Sequence, residues 1–230
     1  MNKIKVLNLY ACLGGNRYKW DEVADIEVTA VELDPVLAKL YQERFPNDKV
    51  IVADAHQYLL DHYQEFDFIW SSPPCPTHSR ARFWAYGANG TKPVYPDFAL
   101  YQEVIFLKHH FKGKYVVENV KPYYEPIIKA QEIDRHLYWT NFNIPKNINA
   151  RHFNGLCQTK NEVKNLSIFH DYDFYKYKGS QLTNKIARNL VDYEVGKSIF
   201  ETALKIKKDN NLKQIGLFET IKTNDKNKQR

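Results

Sequence analysis

Five short apolar runs punctuate the first 120 residues, and a polar cluster closes each of them. "IKVLNLYA" leads into "CLGGN", "VTAVEL" into Asp34, and "KVIVADA" carries Asp54. "FDFIW" leads into "SSPPCP", and "KYVVEN" carries Glu118 and Asn119. Helical spacing separates several of these runs. "DPVLAKLYQERFP" places Val36, Leu37, Leu40 and Tyr41 on one face and stops near Pro46. "PDFALYQEVIFLKHHFKG" predicts a second helix, with Asp97 to cap its start and Gly113 to end it. Nearly continuous apolar strands that alternate with helices imply a doubly wound, mostly parallel α/β sheet. Ligands bind such sheets beyond the carboxyl ends of the strands. All five polar clusters fall at those ends.

The chain has 230 residues, which suits one good-sized core with a small appended region. Residues 1–141 are expected to form the core that carries chemistry and cofactor. Residues 142–184, rich in Asn, Lys and aromatics without a sustained period, form a small irregular region. Residues 185–210 hold the helix "VGKSIFETALKIKK", which returns to the core, and residues 211–230 are a polar tail. No apolar run of about 18 residues exists, so no membrane contact is expected. "MNKIKVLNLY" enters a strand pattern directly and lacks the features of a secretion signal. Three scattered cysteines, Cys12, Cys75 and Cys157, have neither disulfide nor zinc spacing. A cytoplasmic, metal-free monomer is the expectation. A net charge of +6 is compatible with a polyanionic partner.

Gly14 and Gly15 make a tight turn after the first strand, where the backbone can approach a ligand or take positive φ. Glu32 ends the second strand and can accept hydrogen bonds from ribose hydroxyls; Asp54 follows the third and can accept one from an adenine amino group. On consecutive strand ends beside a glycine turn, the two carboxylates suggest an adenosine-containing cofactor. Pro73 and Pro74 fix a stiff turn that holds Cys75 at the ligand edge. A free cysteine is commonly a buried structural residue, but a position between prolines in a loop is poor core material. A thiol fixed there is a candidate nucleophile. Glu118 leaves the next strand at the same edge after apolar neighbours. Its pKa should be raised, so that it carries a proton.

These residues together resemble the cytosine carbon-5 DNA methyltransferase family. "LYACLGG" is similar to the family's cofactor turn F-x-G-x-G-G, and "AVELDPVLAKLYQERFP" and "ADA" to its ribose and adenine segments. "SSPPCPTHS" resembles the P-P-C-x-x-x-S loop with Ser79 matching, "VVENV" the E-N-V strand, and "QEIDR" the Q-x-R-x-R segment with Gln131 and Arg135 in place. The matches run in order from about Val6 to Trp139. Cys12 stands in place of a turn glycine and Ile133 in place of an arginine, and Asn189 is the best match to a late G-N segment.

The resemblance implies S-adenosyl-L-methionine as cofactor, held by Tyr10, Ala11, Gly14, Gly15, Glu32, Asp54, Pro73 and Asn189. It implies Cys75, Glu118 and Arg135 as catalytic residues acting on a cytosine extruded from double-stranded DNA. Ser79, Arg80, Arg82, Gln131 and Arg151 are the expected DNA contacts, and residues 142–184 the target-recognition region. An RNA cytosine methyltransferase on the same core and an inactive DNA-binding relative are the competing readings. In the tail, "QIGLF" (Gln214 to Phe218) resembles short Q-x-x-L-F peptides that dock on a sliding clamp. Packing of Leu217 and Phe218 on the domain itself is the equal alternative.

Overall fold

The computed structural model describes residues 3–82, 92–153 and 160–205. Seven strands form one sheet in the order β3-β2-β1-β4-β5-β7-β6. The strands are β1 (Ile4–Leu9), β2 (Ile26–Glu32), β3 (Lys49–Val52), β4 (Phe68–Ser71), β5 (Lys114–Val120), β6 (Gln131–Ile133) and β7 (His136–Thr140). The first five pair in parallel, and β7 runs antiparallel to both β5 and β6. This is the doubly wound, mostly parallel, Rossmann-like sheet that the strand pattern predicts.

Helices α1 (Pro35–Arg44), α2 (Ala55–His62), α3 (Ala99–His110), α4 (Glu162–His170), α5 (Thr183–Asn189) and α6 (Tyr193–Ala203) complete the layers. Alternate strand residues serve opposite faces. Leu7, Leu9, Ile69 and Val117 pack with Leu59 of α2 and Val104 and Leu107 of α3. Val6, Val28, Phe68, Trp70 and Val116 pack with Trp20 and with Val195, Ile199 and Phe200 of α6. Both faces are therefore dry, which is why the strands read as continuous apolar runs.

Asp34 caps α1, accepting from Val36 N at 2.8 Å ahead of Pro35. The second expected helix differs at both ends. Phe98 is its N-cap residue, although Asp97 still accepts from Ala99 N at 3.0 Å. It stops at His110, with Phe111 as its last cap. Gly113 serves a different purpose: a Cβ there would lie 2.3 Å from the Asp67 carbonyl, so the glycine permits a close backbone crossing.

The described part of residues 142–184 packs against the cofactor side of the sheet. Leu166, Phe174 and Tyr177 pack with Leu13, Leu37, Leu40 and the α5 residues Ile186 and Ala187 in one cluster. The Tyr177 hydroxyl donates to Asp34 Oδ2 at 3.0 Å. Arg44 donates to the carbonyls of Leu13 and His170 at 2.8 and 3.0 Å.

Candidate active site

The parallel register brings the carboxyl ends of β1, β2 and β4 level, with Leu9 opposite both Val31 and Ser71. The strand order reverses at β1, which has β2 on one side and β4 on the other. This is the switch point at which open α/β sheets bind ligands.

The turn after β1 is bent hard. Tyr10 (φ 54°), Cys12 (φ 47°) and Gly14 (φ 67°) all have positive φ, which is costly for the two non-glycine residues. Gly14 N closes the turn on Ala11 O at 2.8 Å. A Cβ on Gly14 would lie 2.4 Å from the Phe45 ring, and one on Gly15 would lie 2.6 Å from the Val191 carbonyl. Gly15 thus lets the segment after α5, with exposed Asn189 at the helix end, lie against the turn. Glu32 accepts from Cys12 N at 2.8 Å through one oxygen and from Asp34 N at 2.9 Å through the other. Burial raises its pKa, against the pull of these backbone donors. A carboxylate has about four acceptor positions, so Glu32 can still accept from a hydroxyl. Asp54 is exposed and caps α2, accepting from Gln57 N at 2.9 Å. A strained turn flanked by two acceptor carboxylates fits the adenosine and ribose of S-adenosyl-L-methionine. Cys12 is partly buried, and burial and the carboxylate of Glu32 push its thiol pKa up, which disfavours a thiolate there.

The prolines of "SSPPCP" lead from β4 to half-buried Cys75. The Cys75 carbonyl accepts from His78 N and Ser79 N, both at 3.0 Å, so the cysteine opens a tight turn. Burial, and next the carboxylate of Glu118, push its thiol pKa up. On the neighbouring strand Glu118 is itself buried, and burial raises its pKa from 4.5 to about 7. A hydrogen bond from Ser72 and the positive charge of Arg135 oppose that rise. Ser72 Oγ also accepts from Trp70 Nε1 at 3.0 Å, which orients the hydroxyl.

Arg135 reaches this edge by a device the apolar pattern does not reveal. Ile133 pairs with His136, leaving Asp134 and Arg135 as a two-residue hairpin between β6 and β7. Asp134 takes φ 53°, the left-handed conformation that aspartate tolerates in such turns. The Arg135 carbonyl accepts from Lys121 N at 3.0 Å, directly after β5, and its Nη2 donates to the Arg188 carbonyl at 2.8 Å. His136, the next residue, lies 3.6 Å from the Glu118 carboxylate. Burial lowers its pKa to about 3, and it is neutral.

The expected DNA contacts divide. Arg80 is exposed, and among the described residues its side chain is engaged only through Nε, which donates to Pro122 O at 3.2 Å. Arg82 donates to Lys92 O at 2.9 Å, and Ser79 forms an isolated bridge to Pro122. Gln131 is used inside the fold: its amide nitrogen donates to Thr140 Oγ1 and Phe142 O, and its oxygen accepts from Ile144 N. Arg151 is a structural clamp. It donates to Asp192 at 2.6 and 2.8 Å and to Phe169 O at 2.7 Å, and lies over the rings of Tyr193 and Phe169. Its charge is thus matched by a neighbouring carboxylate inside the fold. Residues 83–91, residues 154–159 and the Gln214–Phe218 segment lie outside the described residues. Sequence reasoning missed Ser72, although it lies in the quoted "SSPPC", and His136, for which no motif gives a signal.

The family described as "C-5 cytosine-specific DNA methylase" matches residues 4–228. No curated protein matches the chain. Among solved structures, a Spodoptera frugiperda DNMT2 mutant is 26% identical over 52% of this chain and 36% of its own, with a TM-score of 0.38. A SAM-dependent methyltransferase from Agrobacterium tumefaciens is 18% identical over 54% of this chain and 41% of its own, with a TM-score of 0.38. The Entamoeba histolytica methyltransferase EhMeth is 14% identical over 52% of this chain and 39% of its own, with a TM-score of 0.34. The matches span less than half the length of each of these three proteins.

Proposed function

The chain belongs to the C-5 cytosine-specific DNA methylase family, and on that premise we propose that it methylates C5 of a cytosine turned out of double-stranded DNA, through a covalent bond to Cys75. The observation that carries this reading is the pairing of Cys75 with a buried carboxyl, Glu118, whose proton is held near neutrality.

Cytosine C5 is a poor nucleophile until C6 is attacked. Cys75 gives its thiol proton to water, and the thiolate forms the bond to C6 while Glu118 delivers its proton to N3, which makes C5 enamine-like. Tyr10, Glu32 and Asp54 would hold the adenosine of S-adenosyl-L-methionine, which when bound would supply an electrophilic methyl group for that carbon and leave as the thioether. Loss of the C5 proton to water and cleavage of the C6–S bond then free Cys75 as thiolate, and N3 returns its proton to Glu118. Arg135, fixed by the hairpin turn, supplies positive charge at the same edge for the base oxygen O2. The exposed guanidinium of Arg80 beside the Cys75 turn supports a contact to a phosphate.

The test is covalent trapping. With S-adenosyl-L-methionine present, a DNA duplex containing 5-fluorocytosine should form a denaturation-resistant adduct with the protein, and Cys75→Ala should not. An adduct with RNA alone would redirect the substrate to RNA. No adduct with either, from protein that binds cofactor, would sink the covalent mechanism.

A further inference from the structure

Behind the cofactor turn, one buried carboxylate joins three strand ends. Glu103 projects from α3 and its side chain has no exposed surface. Its Oε1 accepts from the Tyr10 hydroxyl at 2.6 Å and meets His56 Nδ1 at 2.9 Å. Its Oε2 accepts from Ser71 Oγ at 2.5 Å. Tyr10 is the first residue after β1. Ser71 ends β4, four residues before Cys75. His56 lies in the first turn of α2, two residues after Asp54.

A carboxylate is an expensive way to fill this space. Its helix neighbours Val104 and Leu107 pack the same face with apolar groups, and an apolar residue at a buried charged position is often neutral or stabilising. All three donors to Glu103 lie on the ligand side of the sheet. Moreover, Tyr10 occupies the phenylalanine position of the F-x-G-x-G-G pattern, and its hydroxyl, the one atom that distinguishes it, is bound to Glu103. At φ 54° the Tyr10 backbone needs an external hold.

We propose that Glu103 is a positioning residue for methyl transfer. It fixes the Tyr10 ring at the cofactor turn and the Ser71 end of the strand that feeds the Cys75 loop, and its pairing with His56 makes cofactor affinity depend on pH. This rests on the methyltransferase reading above. Short hydrogen bonds to a carboxylate are stronger than neutral ones, so each donor is held in one geometry. His56 is partly exposed and can exchange its proton with solvent. The groups that face it are Glu103 from α3, Asp54 at the cap of its own helix and Asp97 ahead of α3, all acidic, and they raise its pKa above 6.5. The latch is complete while His56 is charged and loosens as pH rises through that raised value.

The full chain is titrated with S-adenosyl-L-methionine by calorimetry from pH 6 to 9, and the His56 ring is followed by NMR without cofactor. In the wild type, His56 should titrate above 6.5 and cofactor Kd should weaken several-fold across the same interval. His56→Gln should flatten the pH dependence. Tyr10→Phe should weaken Kd about 3–10-fold at neutral pH, the worth of one hydrogen bond. Ser71→Ala should lower kcat while leaving Kd near wild type. Glu103→Gln should return the His56 titration toward 6.5. If Glu103→Gln fails to fold, Tyr10→Phe and Ser71→Ala still decide the matter. An unchanged pH profile in His56→Gln overturns the proposal. So do Tyr10→Phe and Ser71→Ala variants within twofold of wild type in both Kd and kcat. A wild type that binds no cofactor at any pH overturns the methyltransferase reading itself.

Discussion

Asn119 Nδ2 donates to the Pro73 carbonyl at 2.9 Å and so ties β5 to the loop that follows β4. Asn119 is 2% exposed and directly follows Glu118; Pro73 lies two residues before Cys75. Asn119 Oδ1 in turn accepts from Val120 N at 2.9 Å, which locks the amide's orientation. The acid and the nucleophile are therefore set by one internal bond between neighbouring strand ends, and only a short proline-stiffened loop separates that bond from the sulfur.

Asn119→Ala should reduce methyl transfer about 10–100-fold, because sub-ångström displacement of a reacting group costs that much. Cofactor Kd should stay close to wild type, since the adenosine-side residues are untouched. The orphaned Pro73 carbonyl should also cost about 1–3 kcal/mol in urea unfolding. Single-turnover rates and cofactor titrations on the same preparation measure both effects.

Glu118 should leave a mark on stability against pH. Its folded pKa of about 7 exceeds its ordinary 4.5 because burial disfavours the charge. The folded chain thus holds this proton more tightly than the unfolded chain does. The contribution is complete below the unfolded value and is lost as pH rises through the folded one. Between about pH 4.5 and 7 the wild type should lose stability relative to Glu118→Gln, on the order of 3 kcal/mol in total. Arg135→Ala removes a cation that lowers this pKa, and should extend the loss to higher pH and enlarge it, while its onset near the unfolded value stays. Urea unfolding at several pH values in this window, with Glu118→Gln as reference, tests the sign and the shift.

The strand ends were legible in the sequence because both sheet faces are buried. Val6 and Leu7 serve opposite clusters yet are equally apolar, so β1 reads as a run and its end as a break. Glu32, Asp54, Cys75 and Glu118 all follow from that. The β6–β7 hairpin did not, because its turn is Asp134-Arg135 and carries no glycine. Helices α4 and α5 escaped for another reason. They are short, of nine and seven residues, and bury few side chains each, so no helical period builds up. The use of Arg151 and Gln131 inside the fold was invisible, since a polar side chain reads the same whether its partner is a phosphate or Asp192.

Gly196 should be among the least tolerant positions of the chain. It lies in α6 where the helix crosses the segment after the cofactor turn, and a Cβ there would sit 2.3 Å from the Asn16 carbonyl oxygen. Its own carbonyl accepts from Trp20 Nε1 at 3.2 Å, so the helix cannot slide without breaking that bond. Neither obstacle is a flexible side chain. Gly196→Ala should therefore cost about 3 kcal/mol, the upper end for an overpacked site, despite alanine's better helix propensity. Thermal unfolding of the variant measures it, and a melting temperature equal to wild type would mean that the two segments can separate freely.

Two arginines that look alike in the sequence should behave oppositely. Arg80 is exposed beside the Cys75 turn, and among the described residues only one of its five N–H groups is bonded, to Pro122 O. Arg80→Ala should leave thermal stability within about 0.5 kcal/mol of wild type. It should weaken DNA binding and reduce the slope of log K against log salt by about one, as loss of one phosphate contact does. Arg151 instead bridges Asp192, Phe169 O and two aromatic rings. Arg151→Ala leaves Asp192, a mostly buried carboxylate, without its cation, and should cost about 2–4 kcal/mol of folding stability. Its salt slope, taken well below its melting temperature, should match the wild type. Fluorescence anisotropy over a salt series, with melting curves for both variants, separates the two roles. An unchanged salt slope in Arg80→Ala would remove that side chain from the DNA interface, and a reduced slope with normal stability in Arg151→Ala would place Arg151 there instead.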